Sequence, residues 1–338
     1  MNGRKNNIYL IWVLGSAGAV AAAGVLALGI GPAWLSPAEV VRSLLGGGEE
    51  ASRTIVLDIR LPRIVLAALV GCALGVSGAA MQGLFRNPMA DPYIVGISPG
   101  AALGAVLATV LGVSAGFLGL SAVPLAAFAG GLGAALAVVV LARRGGRFPV
   151  ADLLLVGLAV GAFAGAMYSF LILTLDDGRI ASVLFWLLGS FAPADWSRVL
   201  VALPYLVVAA AGLLFLARDL DVFSLGEEEA GYLGLQVERL KMLCIAFAAL
   251  AASAAVAVSG VIGFVGLIVP HVARLLVGPR HGLLLPVAGL WGAAFLILAD
   301  AAARSVLSSS EIPVGVITAL CGAPFFLYLL RRSRKHAP

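Results

Sequence analysis

The chain has 338 residues, 62% of them hydrophobic and 12% charged, with a formal net charge of +5 and a mean hydropathy of +1.08. A soluble domain carries about 25% charged residues, so this composition excludes one, and the lack of short alternating strands excludes a transmembrane β-barrel. Apolar runs of about 20 residues cross a bilayer core of about 30 Å as helices, and such runs fill the sequence, so an all-α integral membrane protein is expected, with no polar linker long enough to set apart a soluble domain.

Ten spans are predicted, at 8–30, 62–82, 93–112, 117–142, 150–174, 198–217, 241–259, 262–277, 283–303 and 313–330. The first follows Arg4 and Lys5, as a signal peptide would, but its apolar run exceeds a signal core. It is read as a retained helix, with cleavage in its alanine-rich centre as the alternative. Ser36–Leu45 opens with Ser-Pro and continues as an amphipathic turn or two on the membrane surface. The second span opens at Pro62 with Arg60 and Arg63 beside it, where a helix dipole disfavours cations. RNPMADPY (86–93) is a short loop shaped by two prolines, with Asn87 suited to turn or cap.

Farther on, Ile180–Phe191 is apolar but too short to span, and reads as an interfacial or re-entrant helix. The longest polar insertion is Asp219–Lys241, where a short helix is expected to begin near Gly226 with Glu227, Glu228 and Glu229 on its first turn, favoured there by the dipole. The eighth span is short and interrupted by Pro270. VSG, then nine residues, then Pro occurs from Val76 and again from Val258, an echo of the kind that internal repeats leave in transporters.

With the N-terminus inside, most of the 22 Lys and Arg fall on inner segments, which satisfies the positive-inside rule and puts both termini in the cytoplasm. The basic balance is thereby explained without nucleic acid. Arg60, Arg63 and Arg304 fall on the outer side. The three cysteines (Cys72, Cys244, Cys321) lie in apolar segments without a CxxC partner, the three histidines are scattered, and no metal site is expected. No Walker A or HExxH motif occurs. Ion-coupled transport needs ionisable groups at membrane depth; the nearest are Asp152 and Asp300, and Asp300 has Arg304 one turn on.

Seven segments in order carry a resemblance: RLPR from Arg60, NPMADP from Asn87, GISPGA from Gly96, WLLGSF from Trp186, LGEEEAGYLG from Leu225, SGVIGFVGLIVPH from Ser259 and EIPVGVITALCGAPFF from Glu311. Over nearly its whole length the chain resembles the membrane permeases of type II ABC importers, which move iron–siderophore complexes, haem and cobalamin. The resemblance implies a single permease domain over 1–338 with about ten helices, a homodimer with the path on its axis, two cytoplasmic ATPase subunits and one external binding protein. It implies a multi-pass protein of the bacterial cytoplasmic (inner) membrane. ATP and Mg would sit on the ATPase, and no cofactor on this chain, which would not itself be an enzyme.

By the same resemblance Arg60, Arg63 and Arg304 dock the binding protein. Gly226, Glu227, Glu228, Glu229, Ala230, Leu233 and Gly234 form the segment that couples to the ATPase, within 219–241. Asn87 and Met89 form a cytoplasmic gate, Met89 standing where leucine is common. A second gate falls at FPVAD (148–152), which departs from the small hydroxyl residues of cobalamin members. Gly161, Gly165 and Tyr168 on one helix and Thr318 and Gly322 on another would line the path; each set shares a helical face by its spacing. The alternative from another class is an ion-coupled secondary transporter.

Overall fold

Length and apolar content decide which segments cross, and small residues decide how closely they approach. The computed structural model describes residues 2–113, 121–307 and 311–334. In chain order the helices are α1 (Asn2–Gly29), α2 (Pro37–Leu44), α3 (Glu50–Thr54), α4 (Leu61–Leu84), α5 (Ile97–Val110), α6 (Ala122–Ala142), α7 (Val150–Ile172) and α8 (Asp177–Leu187). They continue as α9 (Trp196–Phe215), α10 (Ala217–Phe223), α11 (Glu227–Tyr232), α12 (Val237–Ser259), α13 (Val265–Val277), α14 (His281–Ala303) and α15 (Val314–Arg334).

Among the described residues, seven helical stretches are long and apolar enough to cross a membrane, and Ile97–Val110, Val265–Val277 and Val314–Tyr328 are shorter apolar helices. Each predicted span coincides with one of these, although residues 117–120 of the fourth lie outside the described residues. The short apolar stretch near 180–191 is α8, whose first turn is capped by Asp176 accepting from the Arg179 N–H. The surface segment after Ser36 is α2, closed by a capping box in which Ser36 and Glu39 each satisfy the other's backbone N–H. These bonds from Ser36 hold the exposed Glu39 carboxyl below the usual carboxylate range.

The second span differs from its prediction. The chain is helical without a break from Glu50 to Leu84, with a π-helical stretch, Ile55–Arg60, joining α3 to α4. Pro62 therefore starts no helix. Arg60 and Arg63 lie inside a continuous one, away from any helix N-terminus, and the dipole conflict at Pro62 does not arise.

α4 and α14 form the centre of the bundle. A Cβ on Gly71 would lie 2.2 Å from the Gly292 carbonyl oxygen, so the two backbones touch through glycine. α13 starts after an irregular stretch, 260–264, that ends at Phe264 with φ of 69°. This break also ends the sequence echo: Val76–Leu84 runs on as helix in α4, whereas the second copy leaves its helix at Gly260. The two copies are not structurally equivalent. The end of α8 rests on that break, where the Ser190 N–H donates to the Ser259 carbonyl at 2.7 Å.

Candidate functional site

Three arginines gather at one end of the bundle, all 3–5% exposed. Arg60 donates to the carbonyls of Leu28 and Ala33, the Leu28 bond being 2.5 Å, and Arg304 donates to Ala27 at 3.2 Å. Ala27 and Leu28 belong to the last turn of α1, whose carbonyls have no partner within the helix. Two guanidinium groups thus cap α1, where its dipole also favours cations. Arg63 lies 2.9 Å from Asp300 and 2.8 Å from Glu311, and Asp300 takes Arg304 at 3.2 Å, the pair expected one turn apart. Asp300 is 1% exposed and holds both cations. Each arginine is committed inward, tying α1, α4 and α14 together. α1 is in turn an integrated helix, its Ser16 accepting from Trp291 Nε1 of α14 at 2.9 Å.

Beside this network lies a cavity of about 330 Å³ whose lining includes Phe185, Trp186, Ser190, Arg198, Ser259 and Glu311. Glu311 belongs both to its wall and to the arginine network. Residue-type patterning had singled out neither Glu311 nor Arg198.

At the opposite end is the 226–234 segment. Gly226 adopts φ of 147°, open only to glycine, so the chain turns sharply into α11. Ala230 is fully buried and pins this short helix, while Tyr232 is 88% exposed and Leu225 and Leu233 are exposed beside it. Glu228 and Glu229 are exposed and Glu227 is half-buried. One aromatic and two leucines thus stand exposed around a short helix whose first turn carries three acids.

Glu227 faces Lys241, which is 1% exposed near the start of α12. The Lys241 ammonium also donates to Glu238 at 3.1 Å and to the Phe148 carbonyl at 3.0 Å. Its three donors therefore meet three acceptors. Glu238 in turn accepts from the Phe148 N–H at 2.7 Å. Phe148 begins the stretch taken as the second gate.

The loop holding Asn87 and Met89 is joined to the same region. The Asn87 side chain accepts from the Met89 N–H at 2.9 Å and fixes an exposed turn. Arg86 has φ of 47° and places its guanidinium 4.8 Å from the centre of the Phe223 ring, on the helix that leads into α11.

Comparison with known proteins decides the family. The sequence matches the FecCD transport family over residues 19–332. The chain belongs to it. It is 52% identical over 286 residues to the cobalamin import system permease protein BtuC of Halobacterium salinarum, covering 84% of this chain and 75% of that protein. It is 42% identical over 282 residues to the hemin transport system permease protein HmuU of Yersinia pestis, covering 83% of this chain and 84% of that one. A solved inward-facing metal-chelate type ABC transporter shares 34% identity and a TM-score of 0.84, covering 95% of this chain and 98% of that one. The fold is thus the all-helical permease fold of type II ABC importers.

In this FecCD chain the residues expected to line the path divide. Gly161 packs against the Pro99 side chain of α5, while Gly165 and Tyr168 remain partly open on α7. Thr318 is fully buried and bonds to the Gly315 carbonyl, and Gly322 lies against the Phe264 ring, where a Cβ would come within 2.4 Å. Thr318 and Gly322 do share a face, but it is buried, with Phe264, the residue before α13, against Gly322. The open face of α15 carries Leu320, Cys321 and Leu327.

Proposed function

We propose that the chain is the membrane permease subunit of an ATP-driven importer for a bulky metal chelate: cobalamin, haem or an iron–siderophore complex. It works as a homodimer in the cytoplasmic (inner) membrane, with both termini inside. Two ATPase subunits, carrying ATP and Mg, bind the α11 end, and one external binding protein delivers cargo to the arginine end. The chain itself carries out no covalent chemistry and holds no cofactor. One observation carries the reading: the exposed Leu225–Tyr232–Leu233 crest, pinned by buried Ala230, on a member of the FecCD family. Apolar side chains held in a polar loop are stable when a partner covers them.

Docking of the binding protein is proposed to work through the field of the arginine cluster. Arg60, Arg63 and Arg304 set a positive potential just beneath the surface, and complementary potential steers encounter without direct pairs. The cavity at Phe185, Trp186 and Arg198 then lies at the outer mouth of the path. Asn87 and Met89 stand at the inner mouth, with 148–152 beside them.

Gentle purification from native membranes, followed by mass spectrometry, tests this. A soluble P-loop ATPase is expected in copy number equal to the permease, and deletion of Glu227–Gly234 is expected to abolish its recovery. Purification of the intact chain without any ATPase, with uptake that follows the proton gradient rather than ATP, would replace this reading by secondary transport.

A further inference from the structure

The coupling reading says where an ATPase binds but not how its movement reaches the path. We propose that Lys241 is the positioning residue that carries displacement of α11 to the start of α7. The proposal rests on the coupling assignment of 226–234.

Three observations support it. First, Lys241 is the common point of two otherwise separate segments: its ammonium holds Glu227 of α11 and the Phe148 carbonyl, 93 positions earlier in sequence. Glu238 closes the arrangement by taking both Lys241 and the Phe148 N–H. Both backbone polar groups of Phe148 are thus held by the N-terminal part of α12.

Second, the site cannot exchange partners with water one at a time at little cost. Lys241 is 1% exposed, and a buried cation that loses a carboxylate must find another or move. A shift of Glu227 therefore drags the ammonium, and the ammonium drags Phe148.

Third, the segment being pulled is stiff. Arg144 and Arg147 exchange backbone hydrogen bonds of 3.0 and 2.9 Å across Gly145-Gly146, both glycines at positive φ. This is a tight two-residue turn. On the other side Pro149 leads directly into α7, with Phe148 buried and Arg143 positioned over its ring. A pull at Phe148 therefore moves the foot of α7 rather than being absorbed in a slack loop.

The test uses the full complex in lipid, with the three native cysteines replaced by alanine and a nitroxide at Ala151, which is exposed on the first turn of α7. The distance between the two labels of the dimer is measured by pulsed electron resonance, without nucleotide and with Mg-ATP and vanadate. The parent complex is expected to show a shift between these states. Lys241→Met is expected to lose the shift while the ATPase stays bound and hydrolyses ATP; Lys241→Arg, which keeps the charge, is expected to keep most of it. Glu238→Gln, which loosens Phe148 but leaves Lys241 on Glu227, is expected to reduce it. An undiminished shift in Lys241→Met with ATPase bound overturns the relay and leaves the coupling reading standing. Loss of assembly in both Lys241→Met and Glu238→Gln overturns it in favour of a purely structural role. Failure of the parent chain to retain an ATPase overturns the coupling reading and this proposal with it.

Discussion

Asp300 is the residue on which the arginine end turns. It is 1% exposed and lies 2.9 Å from Arg63 and 3.2 Å from Arg304, so one carboxylate compensates two buried cations. Glu311 pairs directly with Arg63, from a partly open position. Removing one partner of a buried ion pair costs about 3–5 kcal/mol because the other charge is stranded. Asp300→Asn is therefore expected to lower stability by about that much, read as a fall in the thermal midpoint of the purified protein. Adding Arg63→Met should recover part of the loss, since the second cation is then gone. A midpoint unmoved by Asp300→Asn would mean that the arginines reach water or lipid headgroups and need no internal anion.

At the scale of helices, the α4–α14 contact is set by absence of side chains. Gly71→Ala would put a methyl group 2.2 Å from the Gly292 carbonyl oxygen, with backbone on both sides unable to yield cheaply. Overpacking of this kind costs about 1–3 kcal/mol, and loss of monodisperse protein on size exclusion is the expected readout. Gly133→Ala is the control: nothing lies within 4 Å of its Cβ position on α6, so it should be neutral or slightly stabilising.

The same scale shows what the sequence made legible. Spans are local in sequence, so run length revealed them. The helix before Pro62 was hidden because Asp58 and Arg60 interrupt its apolar run, and the groups that accept Arg60 lie 27 and 32 positions earlier. Spacing showed that Thr318 and Gly322 share a face; it could not show that Phe264 lies against Gly322. The 226–234 segment stood out because its glycines and glutamates are contiguous. Lys241 did not, since its link to Phe148 spans 93 positions, although a lysine three residues after Glu238 at the foot of an apolar run was a usable signal.

For the whole molecule, the faces left open by one copy decide where the path runs. On α7 they include Leu155, Leu158, Phe163 and Phe170, and on α15 Leu320, Cys321 and Leu327. Either lipid or the axis of a dimer covers them, and the two differ in water. Cys321 is exposed, Cys72 half-buried and Cys244 buried, so the chain carries its own probe. Maleimides react with the thiolate, which forms only where water reaches the sulfur. If α15 lines an aqueous path in a homodimer, a membrane-impermeant maleimide should label Cys321 at least about tenfold faster than Cys244, following access. The rate should also change when Mg-ATP drives the bound ATPase, because the path then changes its open side. A Cys321 that faces lipid would label slowly in every nucleotide state, with impermeant and apolar maleimides alike, and the axis would then have to be formed by another pair of helices.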